Sequence, residues 1–317
     1  MKCKICNSNN IKKSKVFKPY KEKDWIFNIY YCGNCDCKFI KEEDHFEYHE
    51  QLHKNNQGPY QLQAKIAKKV ADLLSQNKIK ETEFYLKSLS YKYKMSIDFI
   101  KKHKLMKKIK ILEIGSSTGF LTAFFRSIGC CAYGHDISKT ATNFAKDTFG
   151  DYFHHDLKQY QNIEFDVIIF LGLIGCLKNP RNLLKFLNPL IKKNGMIFFN
   201  YPNLKSTSYL NELWVSTPPP DLFYLFSKKS IYFLLGKEYS IEFLTYTVNY
   251  ESSVKYSKYI FNWNKNIYPV SFKQSNKQHI HPIMFRMVRK FIEILINIHI
   301  VKPLPAEYGM FVLASKK

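Results

Sequence analysis

Between Ile109 and Asn200 the chain repeats one pattern: a short apolar run, a few small residues, then an amphipathic stretch. Such alternation builds βαβ units, and successive βαβ units make a parallel sheet covered by helices. The runs are Lys110 to Ile114, Cys130 to Gly134, Tyr152 to His154 and Phe165 to Phe170. A fifth, Met196 to Asn200, comes after a helix expected over Arg181 to Ile191 and a turn at Lys193-Asn194-Gly195.

The residues at the end of each run carry more information than the run itself. The first ends in Gly115-Ser116-Ser117-Thr118-Gly119, where glycines let the backbone turn tightly and approach a ligand, and the next helix offers free N–H groups. The second delivers Asp136 about 20 residues later, where an acid can accept both ribose hydroxyls of a nucleoside. The third ends at Asp156-Leu157, and the fourth runs into Leu171 and on to Pro180. Four such ends carry loops that can face one cleft. The closely spaced glycines of a dinucleotide GxGxxG turn are absent, which argues against NAD.

With 317 residues, the chain has room for one large domain or two to three smaller ones. Hydrophobic residues at 45% and aromatics at 16% exclude a disordered polymer. The longest nearly unbroken apolar run, Val167 to Leu177, falls short of the roughly 20 residues a spanning helix needs, so no membrane span is expected. The N-terminus lacks a secretory h-region, so a cytoplasmic, reducing location is expected and disulfides are disfavoured.

Cysteine is unevenly used: five of the eight lie in the first 37 residues. Cys3-Lys4-Ile5-Cys6 and Cys32-Gly33-Asn34-Cys35 are two CxxC pairs, 25 residues apart. Paired knuckles at this separation suit one tetrahedral zinc at the tip of a β-hairpin, and β-forming residues from Trp25 to Tyr31 lead into the second pair. A register in which Cys37 replaces Cys35 stays open; the symmetric spacing favours Cys35. His45, His49 and His53 share a helical spacing and read as a solvated face, outside the metal set.

The expected organisation is a zinc ribbon over 1–57, a Lys-rich helical connector over 58–105 and an α/β domain over 106–317. Within the last, an aromatic stretch with Pro218-Pro219-Pro220 reads as a substrate-covering loop over 204–227. Residues 251–305 form a basic, aromatic insertion containing His279, His281, Arg286, Arg289 and Lys290. Strands are expected over Tyr239 to Tyr250 and Tyr308 to Ala314.

The ordered set Glu113-Ile-Gly115-x-x-x-Gly119, Asp136-Ile137, Asp156-Leu157, Phe165-Asp166 with Asn179-Pro180, Gly195-Met-Ile and Asn200-Tyr-Pro202-Asn203 resembles the class I S-adenosylmethionine-dependent methyltransferases. More narrowly it is similar to the branch with a zinc-ribbon-like N-terminus that acts on sugars and surface polysaccharides. The resemblance implies a Rossmann-like seven-stranded sheet with helices on both faces, closed by an antiparallel last strand. By it, Gly115, Ser116 and Gly119 hold the methionine part of the cofactor and Glu113 supports the turn. Asp136 binds the ribose, Ile137 packs on adenine, Asp156 and Leu157 meet the adenine edge, and Leu171 lines the floor under the sulfonium. Ser117 stands at the third glycine position, Gly175-Cys176 where the branch often carries Glu-His, and Leu222 at the histidine of a Pro-Pro-acid-His stretch. The familiar histidine bases are therefore missing, and Asp221 is the remaining candidate base.

The implied activity is methyl transfer from S-adenosylmethionine to a small polar acceptor such as a sugar or nucleotide-linked sugar, with zinc in the ribbon. The alternative is a nucleic-acid-binding protein using the ribbon and the basic insertion, with RNA or DNA methylation or no catalysis. Lys+Arg number 49 against 26 Asp+Glu, a formal charge of +23, which favours an anionic acceptor through steering. Nothing in the pattern fixes an oligomeric state.

Overall fold

The computed structural model describes residues 1–17, 26–41, 50, 54–55, 59–102, 108–205, 221–244, 256–257, 260, 282–301 and 309–317. His45, His49, His53, Tyr209, Pro218 to Pro220, His279 and His281 lie outside them. In chain order the described elements begin with β1 (Ile11–Phe17), β2 (Phe27–Cys32), β3 (Lys38–Ile40), α1 (Pro59–Ser75), α2 (Ile79–Leu89), α3 (Tyr91–Lys102), β4 (Lys110–Ile114), α4 (Phe120–Ser127), β5 (Cys131–His135), α5 (Lys139–Phe149) and β6 (Phe153–His154). The later ones are β7 (Phe165–Phe170), α6 (Pro180–Leu187), β8 (Ile191–Pro202), β9 (Tyr224–Leu225), α7 (Lys228–Leu235), β10 (Tyr239–Leu244), α8 (Pro282–Asn297) and β11 (Gly309–Lys316). No described helix is long and apolar enough to cross a membrane.

The chain divides into two compact units, Met1–Glu42 with Tyr201–Phe233 and Phe243–Phe311, and Glu43–Asn200 with Leu234–Glu242 and Val312–Lys317.

The first unit holds a four-stranded sheet in the order β1-β2-β3-β9. β1, β2 and β3 form an antiparallel meander, and β9 pairs antiparallel with β3 through Lys38↔Leu225 and Phe39↔Tyr224. Tyr30, Phe39 and Tyr224 lie in one row across three strands, and their rings stack at centroid distances of 5.8 and 6.1 Å. Cross-strand aromatic pairs of this kind stabilise a sheet beyond their buried area. Two residues of strand from far along the chain thus complete the cysteine-bearing sheet.

The second unit is built around a seven-stranded sheet in the order β10-β11-β8-β7-β4-β5-β6. β4 lies between β5 and β7, and the pairs β4-β5, β4-β7, β5-β6 and β7-β8 are all parallel. Val167, Ile168, Ile169 and Phe170 are fully buried, which is why central strands covered on both faces read as unbroken apolar runs. α5 begins where Ser138 Oγ accepts from Ala141 N–H, and α6 where Asn179 accepts from Asn182 N–H just before Pro180. Both are ordinary N-caps.

Two elements differ from expectation. The helix expected to reach Ile191 ends at Leu187, and Ile191 already belongs to β8, paired with Phe165. The register against β7 shifts between Phe165 and Val167, absorbing Lys192 to Gly195 as a bulge within one strand. The Lys-rich connector is three helices. Asn77, two residues beyond the end of α1, takes the left-handed region (φ 57), and Ser90 is extended between α2 and α3. Lys87 bridges Glu83 and Asp98 at 2.6 Å each, tying α2 to α3, and Phe99 of α3 stacks on Phe198 of β8 at 4.6 Å. β10 and β11 occupy the two later expected strand positions; residues 245–250 and 308 of those expectations lie outside the described residues.

Candidate functional site

The cysteine cluster is built from two turns of the same design. Asn7 and Asp36, each directly after the second cysteine of its pair, take positive φ values of 59° and 58°. Their N–H groups donate to Cys3 O and Cys32 O, at 2.8 and 2.9 Å. Asn and Asp tolerate this conformation better than branched residues do. Each turn folds its two thiols to one side. The Sγ atoms of Cys3, Cys6, Cys32 and Cys35 all lie within 4.8 Å of one another. Cys3–Cys35 is 3.7 Å and Cys6–Cys32 is 3.5 Å. Zinc–sulfur bonds of about 2.3 Å at tetrahedral angles require sulfurs about 3.8 Å apart, so the donor set fits zinc. Cys37 Sγ lies 3.7 Å from Cys3 and 3.4 Å from Cys35. Hydrogen bonds from Cys35 and Cys37 hold the Cys3 thiol far below its ordinary value, while Cys35 and Cys37 are pushed up.

In the second unit the loop after β4 is strained into a cradle. Gly115, Ser117 and Gly119 have φ of 74°, 47° and 79°. The N–H groups of Gly115 and Ser116 both donate to His135 O at the end of β5, at 2.7 and 2.9 Å. Gly119 is forced by packing, since a Cβ there would sit 2.5 Å from the Phe153 ring and 2.9 Å from Ala145. Asp136 clasps the loop from the next strand. Its Oδ2 accepts from Ser117 N–H at 2.8 Å and its Oδ1 from Ser138 N–H at 3.0 Å. Burial raises the pKa of this carboxyl. Ile137 beside it is 65% exposed, an apolar side chain standing in the open.

Glu113 is 6% exposed and accepts from Thr122 Oγ1, so it braces β4 against α4 beneath the loop. Burial raises its pKa to about 7. Asp156 is exposed and accepts from Lys158 N–H at 2.9 Å, capping a short 3-10 turn that Leu157 begins. Leu171 is half-buried, but Leu173 is the residue against the loop, 3.4 Å from where a Gly115 Cβ would stand. Gly172 N–H donates to Asn200 Oδ1 at 2.6 Å, joining the ends of β7 and β8.

Three groups from outside the sheet were not legible as site residues. Gln63 of α1 accepts from Ser117 Oγ through its side chain and from Thr118 Oγ1 through its carbonyl. Glu50 accepts from Thr140 Oγ1 at 2.8 Å. Lys92 of α3 brings Nζ to 3.8 Å from the Cβ position of Gly172. Burial lowers its pKa against the opposing pull of Glu113 and Cys176, and among the described residues it makes no ion pair. Cys176, at the histidine position of the resemblance, donates to Gly172 O at 3.3 Å. Periodicity assigns such residues only to a helix face or a turn, and nothing local marks the loop they touch.

Asp221 is half-buried in the turn before β9, within the first unit. Tyr201 is fully buried and donates to Met310 Sδ at 3.1 Å, so its hydroxyl is spent inside the core.

Solved structures to which the chain is similar include the magnesium protoporphyrin IX methyltransferase of Synechocystis PCC 6803 with bound SAM, at 11% identity over 71% of this chain and 78% of that one, TM-score 0.41. A SAM-dependent methyltransferase from Archaeoglobus fulgidus matches at 14% identity over 71% and 94%, TM-score 0.42. A putative sarcosine dimethylglycine methyltransferase from Galdieria sulphuraria matches at 11% over 75% and 86%, TM-score 0.42. No curated protein matches the sequence. The family model described as a methyltransferase domain matches residues 45–238, more than half of the chain. The chain therefore belongs to the methyltransferase-domain family and is an enzyme.

Proposed function

We propose that the chain methylates a small, polar, anionic acceptor, a sugar or nucleotide-linked sugar, and carries one structural zinc in its N-terminal sheet. The observation that carries the cofactor reading is Asp136, whose carboxylate ends β5 and binds the glycine loop after β4. In this reading its free lone pairs take the ribose hydroxyls. Gly115, Ser116 and Gly119 line the methionine arm, Ile137 covers one face of adenine, and Asp156 with Leu157 takes the adenine edge. Leu171 and Leu173 close the floor. Lys92 gives the cleft the cation that an amino-acid carboxylate needs, since its ammonium approaches Gly172 and has no carboxylate of its own in ion-pair reach among the described residues.

The cofactor supplies an electrophilic methyl on sulfur; the chain's part is to position it, exclude water and receive a proton from the acceptor if one must leave early. Glu113, with its raised pKa, stays beneath the loop as a brace. Asp221 is the proposed base toward the acceptor, at a carboxylate oxygen. The formal charge of +23 supports the anionic acceptor through steering. In the ribbon, Cys3, Cys6, Cys32 and Cys35 would hold zinc, which ties the two turns together.

The test uses methyl-labelled S-adenosylmethionine with matched acceptors: sugar phosphates, nucleotide-linked sugars, neutral sugars and nucleic acid. Label in an anionic sugar, with little in the neutral one, is expected. Label confined to nucleic acid would refute the reading. Metal analysis of the purified protein is expected to give about one zinc per chain.

A further inference from the structure

We propose that α8 rests on an anionic lipid surface, lying in the headgroup layer without spanning it. The helix (Pro282–Asn297) lies beyond residues 45–238, the stretch matched by the methyltransferase-domain model, and nothing in the methyl-transfer reading uses it. A surface helix ordinarily has one apolar stripe, turned to the core, and a polar opposite face. α8 has two. Ile292 and Ile296 are buried and form the inward stripe. Met284, Met287, Phe291, Ile294 and Ile298 form the other, between 50% and 67% exposed, at alternating spacings of three and four residues. At about 100° per residue these side chains fall within an arc of roughly 80°, centred roughly 140° around the helix from Ile292 and Ile296. Ile298 N–H donates to Ile294 O at 3.0 Å, so the turn carries the stripe past the last helical residue. Single exposed apolar side chains are ordinary, whereas a contiguous row of this length marks an interaction surface.

Charge decides which partner fits. Arg286 and Lys290 are exposed and lie along one edge of the row, a turn apart. The helix has a single acid, Glu293, and Arg289 holds it at 3.0 Å. A second copy of α8 would set the row against its own image, with Lys290 on one flank and Val288 and Leu295 on the other, so no free carboxylate would meet the cations. An anionic bilayer supplies both complements. Acyl chains take the Met, Phe and Ile side chains, and phosphates take Arg286 and Lys290, whose stems cover apolar surface while their charges reach the headgroups. The formal charge of +23 adds attraction to the same surface. With 16 residues, α8 is shorter than the roughly 20 needed to cross a bilayer, so it lies in the plane.

The experiment uses the full chain and reads cosedimentation with vesicles of two compositions, phosphatidylcholine alone and phosphatidylcholine with phosphatidylglycerol. The parent is expected to bind the anionic vesicles, to bind them less as salt rises, and to bind phosphatidylcholine weakly. Arg286→Gln/Lys290→Gln should weaken binding about 30-fold, the value of two cations at an anionic surface. Met287→Gln/Phe291→Gln should weaken it about tenfold or more. Both side chains are exposed, so the melting temperature of that variant should stay at the parent's. A further measurement keeps the apolar row intact: Phe291→Trp should add fluorescence that brominated acyl chains quench, and added fluorescence that they leave unquenched overturns the proposal. A parent that binds neither vesicle, or both equally, also overturns it, as does undiminished binding in Met287→Gln/Phe291→Gln. So does a dimer in solution that the same variant dissociates, since a second copy would then occupy the face.

Discussion

Glu113 shows how one buried acid couples the candidate site to pH. Burial raises its pKa from the ordinary 4.5 to about 7, so the folded chain keeps a proton that the unfolded chain releases. Stability present at low pH is then lost as pH rises from about 4.5 through 7, by up to about 3 kcal/mol for this group. Asp136, also raised by burial, acts in the same direction. Between about pH 5 and pH 8 the melting temperature should fall for the parent and fall less for Glu113→Gln; an equal fall in both would show that Glu113 does not carry the effect. Lys92 makes a different prediction. Lys92→Met should weaken S-adenosylhomocysteine by about tenfold or more, the value of a charged hydrogen bond, and leave 5′-methylthioadenosine, which lacks the amino-acid arm, unchanged. Equal weakening of both ligands would place Lys92 outside the carboxylate site.

At the level of elements, the loop after β4 depends on close packing against β6 and α5. Gly119→Ala asks a side chain to adopt φ of 79° and to overlap the Phe153 ring, at about 3 kcal/mol or more. A fall of several degrees in melting temperature with loss of S-adenosylhomocysteine binding is expected, and a variant that binds normally would contradict the packing argument. If the proposed zinc is bound, its removal by a strong chelator should likewise lower the melting temperature, because the metal would tie the two cysteine turns together. These elements differ in how far the sequence announced them. β4, β7 and the core of β8 were legible because both faces are buried, so apolar runs are continuous, whereas β5, half-buried at Cys131 and Tyr133, was legible from the glycine loop before it and Asp136 after it. The extension of β8 back to Ile191 was not, because Lys192 and Lys193 within a bulge imitate the end of a helix. β9 has two residues, too few for any period to show. Asp136 was legible from spacing after the glycine loop, whereas Gln63 and Lys92 reach the site through tertiary packing alone.

On the scale of the whole chain, the cysteine-bearing segment is joined to residues far along the sequence. β9 pairs with β3, and Tyr224 stacks on Phe39. Removing residues 1–41 should therefore expose Leu225 and Tyr224, which are buried, and yield an aggregating or sharply destabilised protein. A truncated chain as stable as the parent would show that the segment is an independent module. The formal charge of +23 is spread along the chain, and in the proposed function it bears on the acceptor more than on the fold. The loop after β4 and Asp136 together form the proposed cofactor site. Calorimetric titration of S-adenosylhomocysteine tests it most directly: the parent should bind one equivalent, and Asp136→Ala should lose about 2 kcal/mol of affinity or more. No heat of binding in the folded parent, or equal affinity in Asp136→Ala, would contradict it.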